Sequence, residues 1–140
     1  MLQITIIQVG KTKDQAIKEL VAEYQKRLNG VASIAEISIK TEPELWNHIP
    51  KNSYVIALDD KGKTFTSQEF ANFIETRKNQ GDSHLVFLIG PANGFSKFKE
   101  DPRLKLSLSS MTFSHQTVRI LLAEQIYRAI SILEGKPFAK

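Results

Sequence analysis

The run Leu85-Val-Phe-Leu-Ile89 limits the possible folds of this chain more than any other feature. Five consecutive apolar residues offer no polar face to water. Side chains of a strand point alternately to the two sides of a sheet, so such a run must be covered on both. Its length and the glycine that closes it, Gly90, suit a buried strand. Similar short runs occupy residues 2–9, ended by Gly10, and residues 53–58. Residues 32–39 place Ile34, Ile37 and Ile39 among polar neighbours, and Leu104, Leu106 and Leu108 alternate with Lys105 and Ser107. These predict two more strands.

Helical periods separate them. Ile17, Leu20, Val21 and Tyr24 stand at i, i+3, i+4 and i+7, which predicts a helix over 14–28, capped by Thr12 or by Asp14. Thr66 and Glu69 form a capping-box pair for a helix over 67–79 that buries Phe70, Phe73 and Ile74, and Gly81 suits its end. The longest helix is expected over 115–134, with the stripe Val118, Leu121, Leu122, Ile126, Ala129, Ile130 and Leu133, ended by Gly135. Residues 42–49 allow one or two turns before Pro50, and Asp59-Asp-Lys-Gly-Lys63 reads as a turn.

Strands that alternate with helices predict an α/β fold, a mainly parallel sheet with helices on both faces. Ligands of such sheets bind beyond the carboxyl ends of the strands. Three loops leave strands there: 59–65, 90–96 and 109–114.

Composition narrows the function classes. A chain of 140 residues is expected to form a single domain over 1–140. No apolar run approaches the roughly 20 residues that span a bilayer. The first residues read as a strand and not as a signal peptide, so a cytoplasmic location is expected. There is no cysteine, which excludes disulfides and thiolate metal sites, and His48 and His84 stand isolated, so no metal site is expected. The net charge of +4 permits a polyanionic partner without requiring one.

Several motifs invite chemistry. Gly10-Lys-Thr12 resembles the end of a phosphate loop, but Thr5 stands where that loop needs glycine. Gly90-Pro-Ala-Asn-Gly94 lacks the dinucleotide spacing, and is either a glycine-dependent turn or a ligand loop. Ser107-Leu-Ser-Ser-Met-Thr-Phe-Ser-His115 is a hydroxyl-rich segment before a helix. Ser114 can cap that helix, while the loop's backbone groups can surround a neutral purine. Arg119, Glu124 and Arg128 lie off the apolar stripe; Glu124 and Arg128, at i and i+4, suit an exposed ion pair or a functional pair.

Taken together, Leu58-Asp-Asp-Lys-Gly-Lys63, Thr66-Ser-Gln-Glu-Phe-Ala71, Phe87-Leu-Ile-Gly90 with Asn93-Gly94, Met111-Thr-Phe-Ser-His-Gln116, Arg119 and Ala123-Glu-Gln-Ile-Tyr-Arg-Ala129 resemble the RlmH family. These are the smallest SPOUT-class methyltransferases of bacteria, and the resemblance runs through the whole chain in length and element order. It implies a C-terminal trefoil knot, which periodicity cannot reveal. It implies methyl transfer from S-adenosylmethionine to N3 of a pseudouridine in large-subunit (23S) ribosomal RNA, on the assembled ribosome, by a homodimer. Cofactor contacts would fall on Leu58, on Gly90, Pro91 and Gly94, and on Ser109, Ser110, Met111, Thr112, Phe113 and Ser114. Catalytic roles would fall on His115, Arg119, Glu124 and Arg128, and RNA contacts on Arg119, Arg128 and Lys140.

Two positions depart from the family pattern. Pro91 replaces the second glycine of Ile-Gly-Gly and removes an N–H. The tail ends Pro137-Phe-Ala-Lys140 in place of Pro-Tyr-His followed by a basic residue. Phe138 keeps a ring without the hydroxyl, and Ala139 has no imidazole. The tail leaves a second reading open, a catalytically reduced ribosome-binding homologue that keeps the cofactor. A flavodoxin-like signalling domain would need a phosphate-cradling loop or an acidic cluster after the first strand, and has neither.

Overall fold

The computed structural model describes residues 1–137. Phe138, Ala139 and the expected RNA contact Lys140 lie outside the described residues. The elements follow the order β1 (Leu2–Val9), α1 (Gln15–Arg27), β2 (Ala32–Ile39), α2 (Glu42–Leu45), a 3₁₀ turn (Trp46–His48), β3 (Tyr54–Thr64), α3 (Ser67–Asn79), β4 (His84–Ile89), β5 (Leu104–Ser107) and α4 (His115–Leu133). The strands form one sheet in the order β2-β1-β4-β3-β5, and every pair is parallel. The expected α/β class holds.

The apolar run of β4 lies between β1 and β3, with Leu85, Val86, Phe87, Leu88 and Ile89 all buried. On one side Leu85, Phe87 and Ile89 join Ile4, Ile6 and Ile56 beneath Phe70 and Ile74 of α3 and Leu122 and Ile126 of α4. On the other, Val86 and Leu88 pack with Ile7, Ala57 and Leu45, and with Trp46, Phe95 and Phe98. Helical cover is therefore uneven. The long helices α3 and α4 sit on the first face, with α1 packed against α4, while the second face has the single turn of α2 and an aromatic loop.

Local signals act largely as their chemistry dictates. Asp14, not Thr12, caps α1 by accepting from Ile17 N at 3.2 Å. The α3 capping box has both arms, Glu69 N to Thr66 Oγ1 at 3.1 Å and Thr66 N to Glu69 Oε1 at 2.8 Å. Ser114 caps α4 through Thr117 N.

Two expectations are corrected. The segment 59–63 does not end the third strand. β3 continues to Thr64, and its register slips so that Leu106 of β5 pairs with both Leu58 and Lys63. The slip is a bulge that a turn-like sequence supplies inside a strand. Second, the buried arc of α4 is wider than one stripe. Val118, Leu121 and Leu133 are only half-buried, whereas Ala123, Ser131 and Arg119 are buried. α4 is flanked by α1 and α3 as well as facing the sheet, so positions beside the stripe are covered too.

Candidate functional site

The bulged stretch of β3 and the carboxyl ends of β4 and β5 open onto one cleft of about 390 Å³. The bulge of β3 and the loops after β4 and β5 form its walls, at the end of the sheet where parallel strands place their ligands. Leu58 stands on the first wall, beside Asp59, Asp60 and Lys61. The second wall holds Gly90, Pro91 and Gly94, backed by Phe95 and Phe98. The third holds Ser109, Met111, Thr112 and Phe113, and His115 closes the corner between the last two. Ser110 and Ser114 are not on the cleft surface, and the Ser114 hydroxyl is engaged by α4.

Backbone geometry shapes these walls. Gly94 N donates to Pro91 O at 2.8 Å, closing a turn, and Gly94 has φ +84°, which favours glycine. A Cβ on Gly90 would lie 3.1 Å from the Phe95 ring, so glycine lets the ring pack flush against the strand end. Pro91 has no N–H, and the Gly90 carbonyl accepts from His115 Nε2 at 2.8 Å. The Gly90–Pro91 peptide thus has no donor, and its acceptor is already engaged. On the third wall Ser107 Oγ donates to Ser109 O at 2.8 Å, and Met111 N donates to Ser109 Oγ at 3.0 Å. Met111 is 73% exposed and Phe113 36%, so two large apolar side chains stand at the cleft with little covering them. Phe113 also borders a second cavity of about 320 Å³ between α3 and α4, where Ser67 donates to Gln125.

The remaining expected site residues lie along α4. Arg119 is 2% exposed, one turn after His115, and its guanidinium faces inward to the loop after β1. Burial lowers its pKa from the ordinary arginine value, and the carboxylate of Glu36 acts in the opposite direction. Glu124 accepts from the Tyr24 hydroxyl at 3.2 Å, which joins α4 to α1. At 1.5 Å per residue, Glu124 and Arg128 stand about 14 Å and about 20 Å along α4 from His115, and neither borders the cleft. Of the expected catalytic residues only His115 thus borders the cleft; Arg119 is bonded to it from inside, and Glu124 and Arg128 stand farther along the helix.

Sequence reasoning missed Glu42. Its carboxylate, on α2, accepts from Ser96 N and Oγ and from Lys97 N, and so fastens the second wall. No local signal marks it, since its partners lie more than fifty residues away. Among the described residues no three His, Asp or Glu side chains are grouped to hold a metal, and no helix is long and apolar enough to cross a membrane.

The family model described as "Predicted SPOUT methyltransferase" matches residues 2–138. The chain is 41% identical to the protein named "Ribosomal RNA large subunit methyltransferase H" from Carboxydothermus hydrogenoformans, over 99% of this chain and 100% of that one. Proteins of the same name from Clostridium botulinum (strain Kyoto) and Halothermothrix orenii are 41% and 38% identical with the same coverage. This chain belongs to the RlmH family of SPOUT methyltransferases. The alignments run over 159 positions against 140 residues here, so the likeness in length is looser than the sequence alone implies. A methyltransferase requires a methyl donor.

Proposed function

We propose that this chain is an S-adenosylmethionine-dependent methyltransferase that modifies N3 of a pseudouridine in large-subunit ribosomal RNA. The observation that carries the reading is the convergence of the 58–61, 89–95 and 108–115 segments on one cleft at the carboxyl edge of the sheet. Its volume suits a nucleoside-sized ligand. The exposed side chains of Met111 and Phe113 supply apolar contact for a purine. Backbone groups of the third loop read the purine edge, and Asp59 or Asp60 meets the polar groups of the amino-acid moiety. Ser110 and Ser114 act through loop shape and helix capping. When bound, the donor supplies a methyl group activated by a sulfonium.

The reaction then needs alignment, loss of the N3 proton, and stabilisation of charge on the base. Glu124 and Arg128 are assigned to these tasks across a homodimer interface, because within one chain they stand far from the cleft. Arg128 stabilises the base or positions a phosphate, and Glu124 orients an arginine or accepts the proton. The dimer is assigned to the α1–α4 surface. There Tyr24 and Tyr127 pack 5.1 Å apart, Arg27 lies 5.7 Å from each ring, and Leu20 is 49% exposed. Tyrosine and arginine are enriched in the cores of interfaces. Lys140 is assigned to RNA phosphate, the assembled ribosome is the substrate, and the cytoplasm is the location. The chain acts as one domain, and the family's trefoil knot is assigned to its C-terminal part.

The test is transfer of tritiated methyl groups to ribosomes from a strain lacking the modification, with calorimetric titration of S-adenosylmethionine in parallel. Binding and labelling are expected, and the variant Ala139→His should label no more slowly. Binding without labelling by either protein would identify a ribosome-binding homologue that keeps the cofactor. Neither binding nor labelling would overturn the assignment.

A further inference from the structure

His115 is held at both ring nitrogens. Nε2 lies 2.8 Å from the Gly90 carbonyl, which only accepts, so Nε2 carries a hydrogen. Nδ1 lies 3.2 Å from Arg119 Nη2, which only donates, so Nδ1 is bare. The ring is therefore neutral and its tautomer is set by its neighbours. Arg119 is in turn fixed by Thr12 Oγ1 at 2.9 Å and the Val9 carbonyl at 3.2 Å. The chain of contacts from the β1 loop through Arg119 and His115 to Gly90 joins three elements at the back of the cleft. Arg119 is buried, so solvent cannot readily replace these bonds.

We propose that His115 is a positioning residue that works only when neutral: it holds the Gly90 carbonyl, and with it the second cleft wall, in the shape that receives the methyl donor, while Arg119 locks its tautomer. The proposal rests on the methyl-donor reading of the cleft. It separates His115 and Arg119 from base catalysis and from RNA contact, because both ring nitrogens of His115 and both terminal nitrogens of Arg119 are committed inside the protein, and Arg119 is buried. A second proton on the ring would sit at Nδ1, against the guanidinium, and like charge and lost acceptor would both open the contact. The charged groups near this arrangement are Arg119 on α4, Glu36 on β2, which acts on Arg119, and Asp59, Asp60 and Lys61 across the cleft on β3. The carboxylates favour protonation and the cations oppose it, and the contact with Arg119 is the direct one.

Long-range nitrogen–proton correlation NMR of the full chain reads the tautomer without any ligand. At a pH near 8, His115 should show a protonated Nε2 and a bare Nδ1; the opposite tautomer or an imidazolium would overturn the proposal. Calorimetry with S-adenosylmethionine provides the second arm. Wild-type affinity should be several-fold lower in acid strong enough to charge the ring than at a pH near 8. His115→Asn keeps an acceptor for Arg119 but loses the reach to Gly90, so it should bind weakly at both pH values with little dependence. Wild-type-like binding by a folded His115→Asn, or parallel pH profiles for the two proteins, would sink the idea. Should the variant fail to fold, the wild-type tautomer and pH profile still decide. Absence of wild-type binding at every pH would refute the methyl-donor reading itself, whereas failure of the positioning role leaves wild-type binding intact.

Discussion

The carboxylate of Glu42 and the backbone of Ser96 meet across the thinly covered face of the sheet. Both carboxylate oxygens lie 3.2 Å from Ser96 N and 3.1 Å from Ser96 Oγ, and Lys97 N adds a contact at 3.3 Å. Beside this tie, Trp46 packs within 6.2 Å of Phe95 and 6.0 Å of Phe98. The short helix α2 thus does more than connect two strands. It anchors the loop that forms one wall of the cleft.

Glu42→Ala should therefore loosen residues 91–98 more than it destabilises the protein. Hydrogen bonds to a charged group are worth about 1.5–3 kcal/mol, and half-exposure of Glu42 reduces that to roughly 1 kcal/mol. Hydrogen exchange should show faster exchange at Ser96 and Lys97 with β1 and β4 unchanged. Affinity for the methyl donor should drop several-fold. Exchange at Ser96 and Lys97 equal to wild type would contradict the anchoring role.

Gly62 makes a different prediction. A Cβ there would lie 2.5 Å from Lys105 O and 2.9 Å from Leu106 N, both backbone atoms that cannot move without breaking the β3–β5 pairing. Gly62→Ala should destabilise the fold by roughly 2 kcal/mol or more, in the range of mutations that force backbone strain. Chemical denaturation measures this. An unchanged midpoint would mean that the bulge yields more easily than its close contact implies.

That bulge also shows where sequence reasoning stops. Asp59-Asp-Lys-Gly-Lys63 has turn chemistry, and the residues do leave the regular ladder, but Leu106, with which pairing resumes at Lys63, is more than forty residues away. Periodicity reports local preference, so it located the start of each strand, the caps and the two loops after β4 and β5 that meet at the cleft. It could not report contacts that depend on tertiary approach. Arg119 shows the same limit. Its charge placed it outside the apolar stripe, yet Thr12, Val9 and His115 bond both its terminal nitrogens inside, while Nε is buried without a partner. Glu42 is the extreme case, a residue whose role exists only after β4 and α2 are brought together. Family resemblance pointed to the cleft residues, but not to the distance that separates Glu124 and Arg128 from them.

The Tyr24–Glu124 contact should be visible in alkaline stability. Burial, and next the nearby Glu124 carboxylate, raise the Tyr24 pKa above its ordinary value of 10.0. The folded state therefore holds the phenolic proton more tightly than the unfolded chain does. Its contribution is complete below about pH 10 and is lost as pH rises from there through the folded-state value. Tyr24→Phe removes this component, so wild type should lose more stability than the variant above about pH 10, and the two curves should run parallel below it. Denaturant titrations at several pH values measure the difference. Parallel curves through the alkaline range would show that the contact does not persist in solution.

The last prediction concerns the α1–α4 surface and separates binding from turnover. Leu20, Tyr24 and Arg27 repeat at helical spacing along α1, beside Tyr127 of α4. If two copies meet there, a charge at Leu20 would be buried without a partner, and such a change is costly at an interface. Leu20→Glu should shift the protein from dimer to monomer in sedimentation velocity. The cleft is built within one chain, from the bulge of β3 and the loops that follow β4 and β5. Affinity for S-adenosylmethionine should accordingly change little in the monomer. Methyl transfer to ribosomes should fall by at least about tenfold, since Glu124 and Arg128 would no longer reach a cleft and removed general-acid or general-base groups commonly cost about 10²–10⁴ in rate. A monomeric Leu20→Glu with full activity would show that one chain suffices and would return Glu124 and Arg128 to a structural role. A dimer unaffected by the change would place the interface elsewhere on the molecule.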